Sequence, residues 1–100
     1  MKNDEMQVVE NVNVPGHTGR VNAAMYQEMK SALLQILPDQ SPGLTHKQIM
    51  TAILPVLSEQ LFPEGKKRGW WSKTVQLDLE AKQVIVRENS KPLRWYQLTQ

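Results

Sequence analysis

The apolar residues of this 100-residue chain change their spacing between Leu79 and Val84, and that change limits the folds open to it. Up to Leu79 they recur every three or four residues, the period of a helix with one buried face. From Val84 onward they fall into two short runs rich in β-branched and aromatic residues, the composition of strands. Such a chain packs helices against a terminal β-ribbon, which places it in the α+β class.

The helical part divides at its prolines. Met25, Tyr26, Met29, Leu33, Ile36 and Leu37 keep helical spacing after Asn22, a residue suited to an N-cap, until Pro38 ends the pattern. Thr45 and Gln48 have the spacing of a capping box and predict the start of a second helix, with Ile49, Ala52, Ile53, Val56 and Leu57 as its buried stripe. Pro55 removes a backbone donor and ends or kinks that helix. After Pro63-Glu64-Gly65, a turn, and the basic loop Lys66-Lys67-Arg68-Gly69, a third helix is expected from Trp70 to Lys82, with Trp71, Val75 and Leu79 facing inward. The runs 84–88 and 93–98 then read as two strands joined by Asn89-Ser90-Lys91-Pro92.

Ahead of the helices, Val8, Val9, Val12 and Val14 form a strand-prone stretch ending at Pro15-Gly16. We read residues 1–21 as an extended arm and loop and residues 22–100 as one domain, a size at which a single small core is expected. The absence of cysteine excludes disulfides, thiol catalysis and zinc-thiolate sites, and fits a reducing compartment, so a cytoplasmic setting is expected. The polar start and the lack of a long apolar run give no expectation of a leader or membrane span.

Charge is unevenly spread. Residues 1–64 hold four Lys/Arg against seven Asp/Glu, whereas residues 65–100 hold eight against three, so the two parts carry −3 and +5. A polarity of this kind gives one side of a small domain a positive potential, as nucleic-acid binders require.

Three helices followed at once by a hairpin resemble the winged helix-turn-helix superfamily. Leu79-Glu80-Ala81-Lys82-Gln83-Val84-Ile85-Val86-Arg87 is similar to its helix-to-wing junction, and Arg94-Trp95-Tyr96-Gln97-Leu98-Thr99 to its returning strand. The Gly-Trp-Trp to Leu-Arg-Trp-Tyr stretch resembles small bacterial proteins of unknown function, and more distantly the N-terminal domain of Mrr-type restriction proteins. The resemblance implies a third helix in the major groove and a wing on the neighbouring backbone, and so a DNA-binding protein or transcriptional regulator. The chain departs from the family at Gln83, where a glycine with positive φ is usual, and in its long connection between helices two and three.

On this reading Lys66, Lys67, Arg68, Lys73, Arg87, Lys91 and Arg94 contact phosphate, while Lys73 and Gln76, expected on outward positions of helix three, reach base edges of double-stranded DNA. Trp70, Leu77 and Ala81 form a second apolar group on the same helix. It calls for a cover, either the 8–14 arm or a partner such as a second copy, and supports an alternative reading as a protein-interaction module. Tryptophans beside cations can also stack on exposed bases, but Trp71 and Trp95 fall on core positions, leaving Trp70 as the candidate.

The remaining motifs carry little chemistry. His17 and His46 are 29 residues apart with no carboxylate at metal spacing beside them, so no metal site is expected. Gly16-His17-Thr18-Gly19 matches the clamp loop of some RNA-binding domains, although an ordinary turn accounts for both glycines. No nucleophile-base pair, phosphate loop or dinucleotide fingerprint is present, and neither a catalytic residue, a cofactor nor a small-molecule ligand is expected.

Overall fold

The computed structural model describes residues 5–98. Over these residues the chain is α+β, with three α-helices and two antiparallel sheets. Residues 1–4 and Gln100, and Thr99 of the returning-strand motif, lie outside the described residues.

Where residues 8–14 lead one to expect an extended arm, the structure has a hairpin of β1 (Met6–Glu10) and β2 (Thr18–Asn22), with Val9 opposite Gly19. Strands therefore precede the helices as well as follow them. The turn closes through the Val14 amide on the Asn11 carbonyl at 2.9 Å and through Gly16, whose φ of +87° suits a residue without Cβ. Gly16 and Gly19 thus belong to a hairpin and not to a loop between helices. The buried faces of Val9 and Val21 join the core built by the helices.

β2 runs directly into α1 (Ala23–Ile36), whose first turn is capped by Asn22 Oδ1 accepting from the Met25 amide at 2.9 Å. Tyr26, Met29, Ala32 and Leu33 form its buried stripe. Its C-terminal carbonyls are satisfied from the far end of the chain: Gln97 Nε2 donates to Leu34 O at 2.8 Å and to Leu37 O at 2.7 Å.

The short strand β3 (Leu44–Thr45) leads into α2 (His46–Ile53), and the Thr45–Gln48 capping box is formed in both directions. α2 ends in a single 3-10 turn, Leu54–Val56, at the proline that breaks its donor pattern. The long connection to α3 is held down by Phe62, fully buried beneath Trp71, and by Glu28, which accepts from the Ser58 amide at 2.6 Å and the Ser58 hydroxyl at 3.0 Å. A second 3-10 turn, Pro63–Gly65, precedes α3.

α3 spans Arg68–Ala81, starting two residues before the expected Trp70 and ending one before Lys82. Its exit solves the problem posed by Gln83. That residue adopts φ +61°, its amide bonds Glu80 O at 3.1 Å, and the Val84 amide bonds Leu79 O at 2.8 Å. These are the two bonds of a Schellman ending, at about 1 kcal/mol for a left-handed residue other than glycine. β4 (Ile85–Glu88) follows at once and pairs with β5 (Arg94–Gln97), while β3 adds to the other side of β5, giving the order β3-β5-β4. Gly43 lets β3 approach: a Cβ there would lie 2.0 Å from the Trp95 carbonyl oxygen.

Candidate functional site: the outer face of α3 between two hairpins

α3 is buried on a wide face by Trp71, Ser72, Val75, Gln76, Asp78 and Leu79. What remains is a stripe running from Lys67 at its N-cap through Trp70 and Lys73 to Leu77 and Glu80, spaced so that these residues share one side of the helix. One hairpin flanks each border of the stripe. β1 packs along α3, and its Glu10 amide donates to Asp78 Oδ1 at 2.8 Å, while Asn11 and His17 lie beside Leu77 and Thr74. On the other side, Trp95 Nε1 donates to Glu80 Oε2 at 2.9 Å, and Arg87 Nε pairs with Glu80 Oε1 at 3.4 Å.

The two hairpins meet. Arg87 Nη2 donates to Asn13 Oδ1 at 3.3 Å, joining β4 to the turn of β1–β2 on the side where Leu77 and Glu80 lie. The C-terminal half of the outward stripe is therefore enclosed, whereas Lys73 is exposed and Trp70 keeps 59% of its surface accessible. Trp70 stands edge-on to Trp71, with ring centroids 5.2 Å apart. Of the apolar group expected with Trp70, Leu77 and Ala81 are half-buried, and Leu77 lies beside Val9, Asn11 and His17 of this chain's own N-terminal hairpin.

The cations expected to contact DNA sort into three kinds. Among the described residues, Lys67, Lys73 and Lys91 are exposed with no acidic partner within ion-pair distance. Lys66 is exposed and 3.6 Å from Glu64, a solvated pair of little energetic weight. Arg68, Arg87 and Arg94 are committed elsewhere. Arg68 donates to Met50 O at 3.2 Å and Gly65 O at 2.9 Å, fixing the connection between α2 and α3. Arg87 is tied to Glu80 and Asn13, and Arg94 donates to Gly43 O at 3.0 Å, bracing β3 on β5.

Gln76 requires a correction. Expected on an outward position, it is only 3% exposed, on a flank of the helix that faces the β4–β5 hairpin and the start of α2. Its Oε1 is buried with no hydrogen-bond partner among the described residues. An unpaired buried oxygen costs about 1–3 kcal/mol.

Lys73, Gln76, Leu77 and Glu80 form one wall of a cleft of about 440 Å³. Arg87, Leu93 and Trp95 of the β4–β5 hairpin form the other, and His46 and Asn13 also line it. His46 and Lys47 also lie beside Pro92 and Leu93 in an adjoining depression. Sequence reasoning missed Lys47 as a surface cation here, although its place just after a capping box marks it as an exposed first-turn residue. Asn13 had no local signal, since its place is set by the packing of β1 on α3.

A protein-family model described as "Family of unknown function (DUF6958)" matches residues 6–95. Neither the curated proteins nor the solved structures give a match.

Proposed function

The chain belongs to the family of unknown function DUF6958, and we propose that it is a winged-helix protein that binds double-stranded DNA with the N-terminal half of α3 and the β4–β5 hairpin. The observation that carries this reading is the position of Lys73. It is exposed, has no acidic partner among the described residues, and shares one cleft with the hairpin that follows α3 and with the capped start of α2.

Three helices running directly into a ribbon, with β3 supporting β5, give the helix and the wing adjoining surfaces. Lys67 and Lys73 on the helix, Lys91 at the wing tip and Lys47 on α2 are all exposed, and phosphate contact is the use of such cations in groove binders. The first residues of a recognition helix are the ones that reach base edges, which agrees with an open N-terminal half and an enclosed C-terminal half.

Four phosphate contacts give a logarithmic salt dependence of about −3 to −4. Fluorescence anisotropy with a labelled duplex across a salt series measures that slope. The double variant Lys73→Glu with Lys91→Glu is expected to remove binding while leaving the circular dichroism spectrum unchanged. No duplex binding by the unaltered protein at low salt overturns the proposal. A protein partner is the second reading, favoured by the 59% exposure of Trp70. It predicts that Trp70→Ala abolishes a partner contact with no dependence on Lys91.

A further inference from the structure

Phosphate contacts leave one exposed side chain unused in the half of α3 proposed to face DNA. Trp70 keeps 59% of its surface accessible, the highest figure for any large apolar residue among those described. Indoles are mostly buried in folded chains, because few side chains have as much apolar area to remove from water. This one is also braced. It stands edge-on to Trp71 at a centroid distance of 5.2 Å, and Trp71 stands edge-on to the buried ring of Phe62 at 6.2 Å. A ring fixed against the core and open to solvent is pre-organised to meet another flat surface.

Its surroundings say which partner fits. Lys67 and Lys73, three residues before and after it, share its side of the helix, and both are exposed with no acidic partner within ion-pair distance among the described residues. Lys66 adds a third cation, offset in part by Glu64 at 3.6 Å. Among the described residues, α3 exposes no other large apolar side chain. The centre of a protein interface or a face lying in a membrane needs an apolar cluster, whereas a stacked base needs one flat ring with cations beside it for the phosphates. Gly69, next to the ring, has nothing within 4 Å of where a Cβ would stand, so packing does not require glycine there, and the bare backbone leaves room for a ligand to come close.

We propose that Trp70 is a stacking platform for an unpaired base, with Lys67 and Lys73 on the adjoining phosphates, so that the DNA this protein prefers is a duplex that continues into a single strand. The inference rests on the reading of α3 as the DNA-facing helix and adds the kind of DNA. Its experiment separates the failure of one from the failure of the other.

Fluorescence anisotropy on the full chain compares a labelled blunt duplex, the same duplex with a 5′ or a 3′ single-stranded overhang, and the single strand alone. An overhang duplex is expected to bind about tenfold more tightly than the blunt one, the size of one base stacked on an aromatic ring. Trp70→Ala is expected to bring the overhang duplex down to the blunt affinity, while Trp70→Phe, which keeps a ring, retains a preference. The probe comparison on the unaltered chain is a test in itself should Trp70→Ala fail to fold. Equal affinity for blunt and overhang duplexes overturns the inference and leaves duplex binding standing. Binding to the overhang or single strand with none to the blunt duplex, lost in a folded Trp70→Ala, supports the inference and overturns the duplex reading. A preference for overhangs that persists in a folded Trp70→Ala overturns the inference, as does the absence of binding to every probe at low salt.

Discussion

The two hairpins that flank α3 are attached to it by different physics. β1–β2 is held through a buried carboxylate: Asp78 is fully inaccessible and accepts from the Glu10 amide, the Tyr26 hydroxyl and Lys82 Nζ, the last at 3.0 Å, while Val9 and Val21 enter the core. β4–β5 also places Ile85 in the core, but most of its polar ties lie nearer the surface: Glu80, its side chain 7% exposed, to Arg87 and Trp95, Glu88 to Ser41 and Gly43, Arg94 to the Gly43 carbonyl. Interactions closed off from water are costly to break from one side, whereas half-exposed ones are screened and replaceable. The polar anchor of the N-terminal hairpin is thus closed off from water, and most of the polar ties of the C-terminal one are more open to it.

Removing the buried anchor gives the largest effect. Asp78→Ala leaves the Glu10 amide and the Tyr26 hydroxyl without their acceptor and Lys82 without its counter-ion, a loss of about 3–5 kcal/mol measurable by urea denaturation. The Tyr26 hydroxyl is held well above its ordinary titration range, first by burial and then by its bond to Asp78, so it stays protonated and keeps donating through neutral pH. On the β4–β5 side, Glu80→Ala is expected to cost less, because Arg87 is 36% exposed and water can replace the lost partner. Equal losses from the two substitutions would break the contrast between the hairpins.

A smaller effect is expected where β5 meets β3. In Gly43→Ala the new methyl group falls 2.0 Å from the Trp95 carbonyl oxygen, which is backbone and cannot rotate aside. β3 must then draw away from β5, at about 1–3 kcal/mol. Hydrogen exchange reads where the damage goes. Faster exchange in residues 94–97 with unchanged protection in 6–10 is the expected pattern, and loss of protection in both hairpins would show that they are one cooperative unit.

How much of this was legible in the sequence follows from which forces are local. Asn22, the Thr45–Gln48 pair and the prolines act within a few residues, so the helices and their caps could be placed to within one or two positions, as could the two C-terminal strands. The β1–β2 hairpin was legible only as a strand-prone run, because its second strand, Thr-Gly-Arg-Val-Asn, has a single buried apolar residue to announce it. The site was less legible than the fold. Gln76 looks like a surface residue in any helical projection that takes Trp71, Val75 and Leu79 as the whole buried face. The β4–β5 hairpin beside α3 adds to that face, and this long-range packing has no signature near residue 76. For the same reason Arg68, Arg87 and Arg94 read as free cations until the groups they serve are in view, Met50 and Gly43 many residues away and Gly65 and Glu80 nearer but across a turn of backbone that the sequence does not fix.

The mildest perturbation separates the hairpins by pH alone. Glu88 is held below its ordinary value of 4.5, chiefly by the Ser41 hydroxyl, then by the Gly43 amide, with Arg94 acting in the same direction and desolvation opposing them. Because the folded value is the lower one, this contribution to stability is complete above the ordinary value and is lost as pH falls through the depressed one. Acidification from about pH 6 to about pH 3 is therefore expected to shift the Gly43 amide resonance with a midpoint below that of an ordinary glutamate. The Glu10 amide on Asp78 serves as the reference from the other hairpin. Glu88→Gln, which keeps an acceptor but no titrating group, should abolish the Gly43 response and leave that of Glu10 unchanged. A Gly43 transition that survives this substitution would mean that β3 is held to the β4–β5 hairpin by something other than its surface carboxylate, and the contrast between a closed and a solvent-open anchor would fail at its most accessible point.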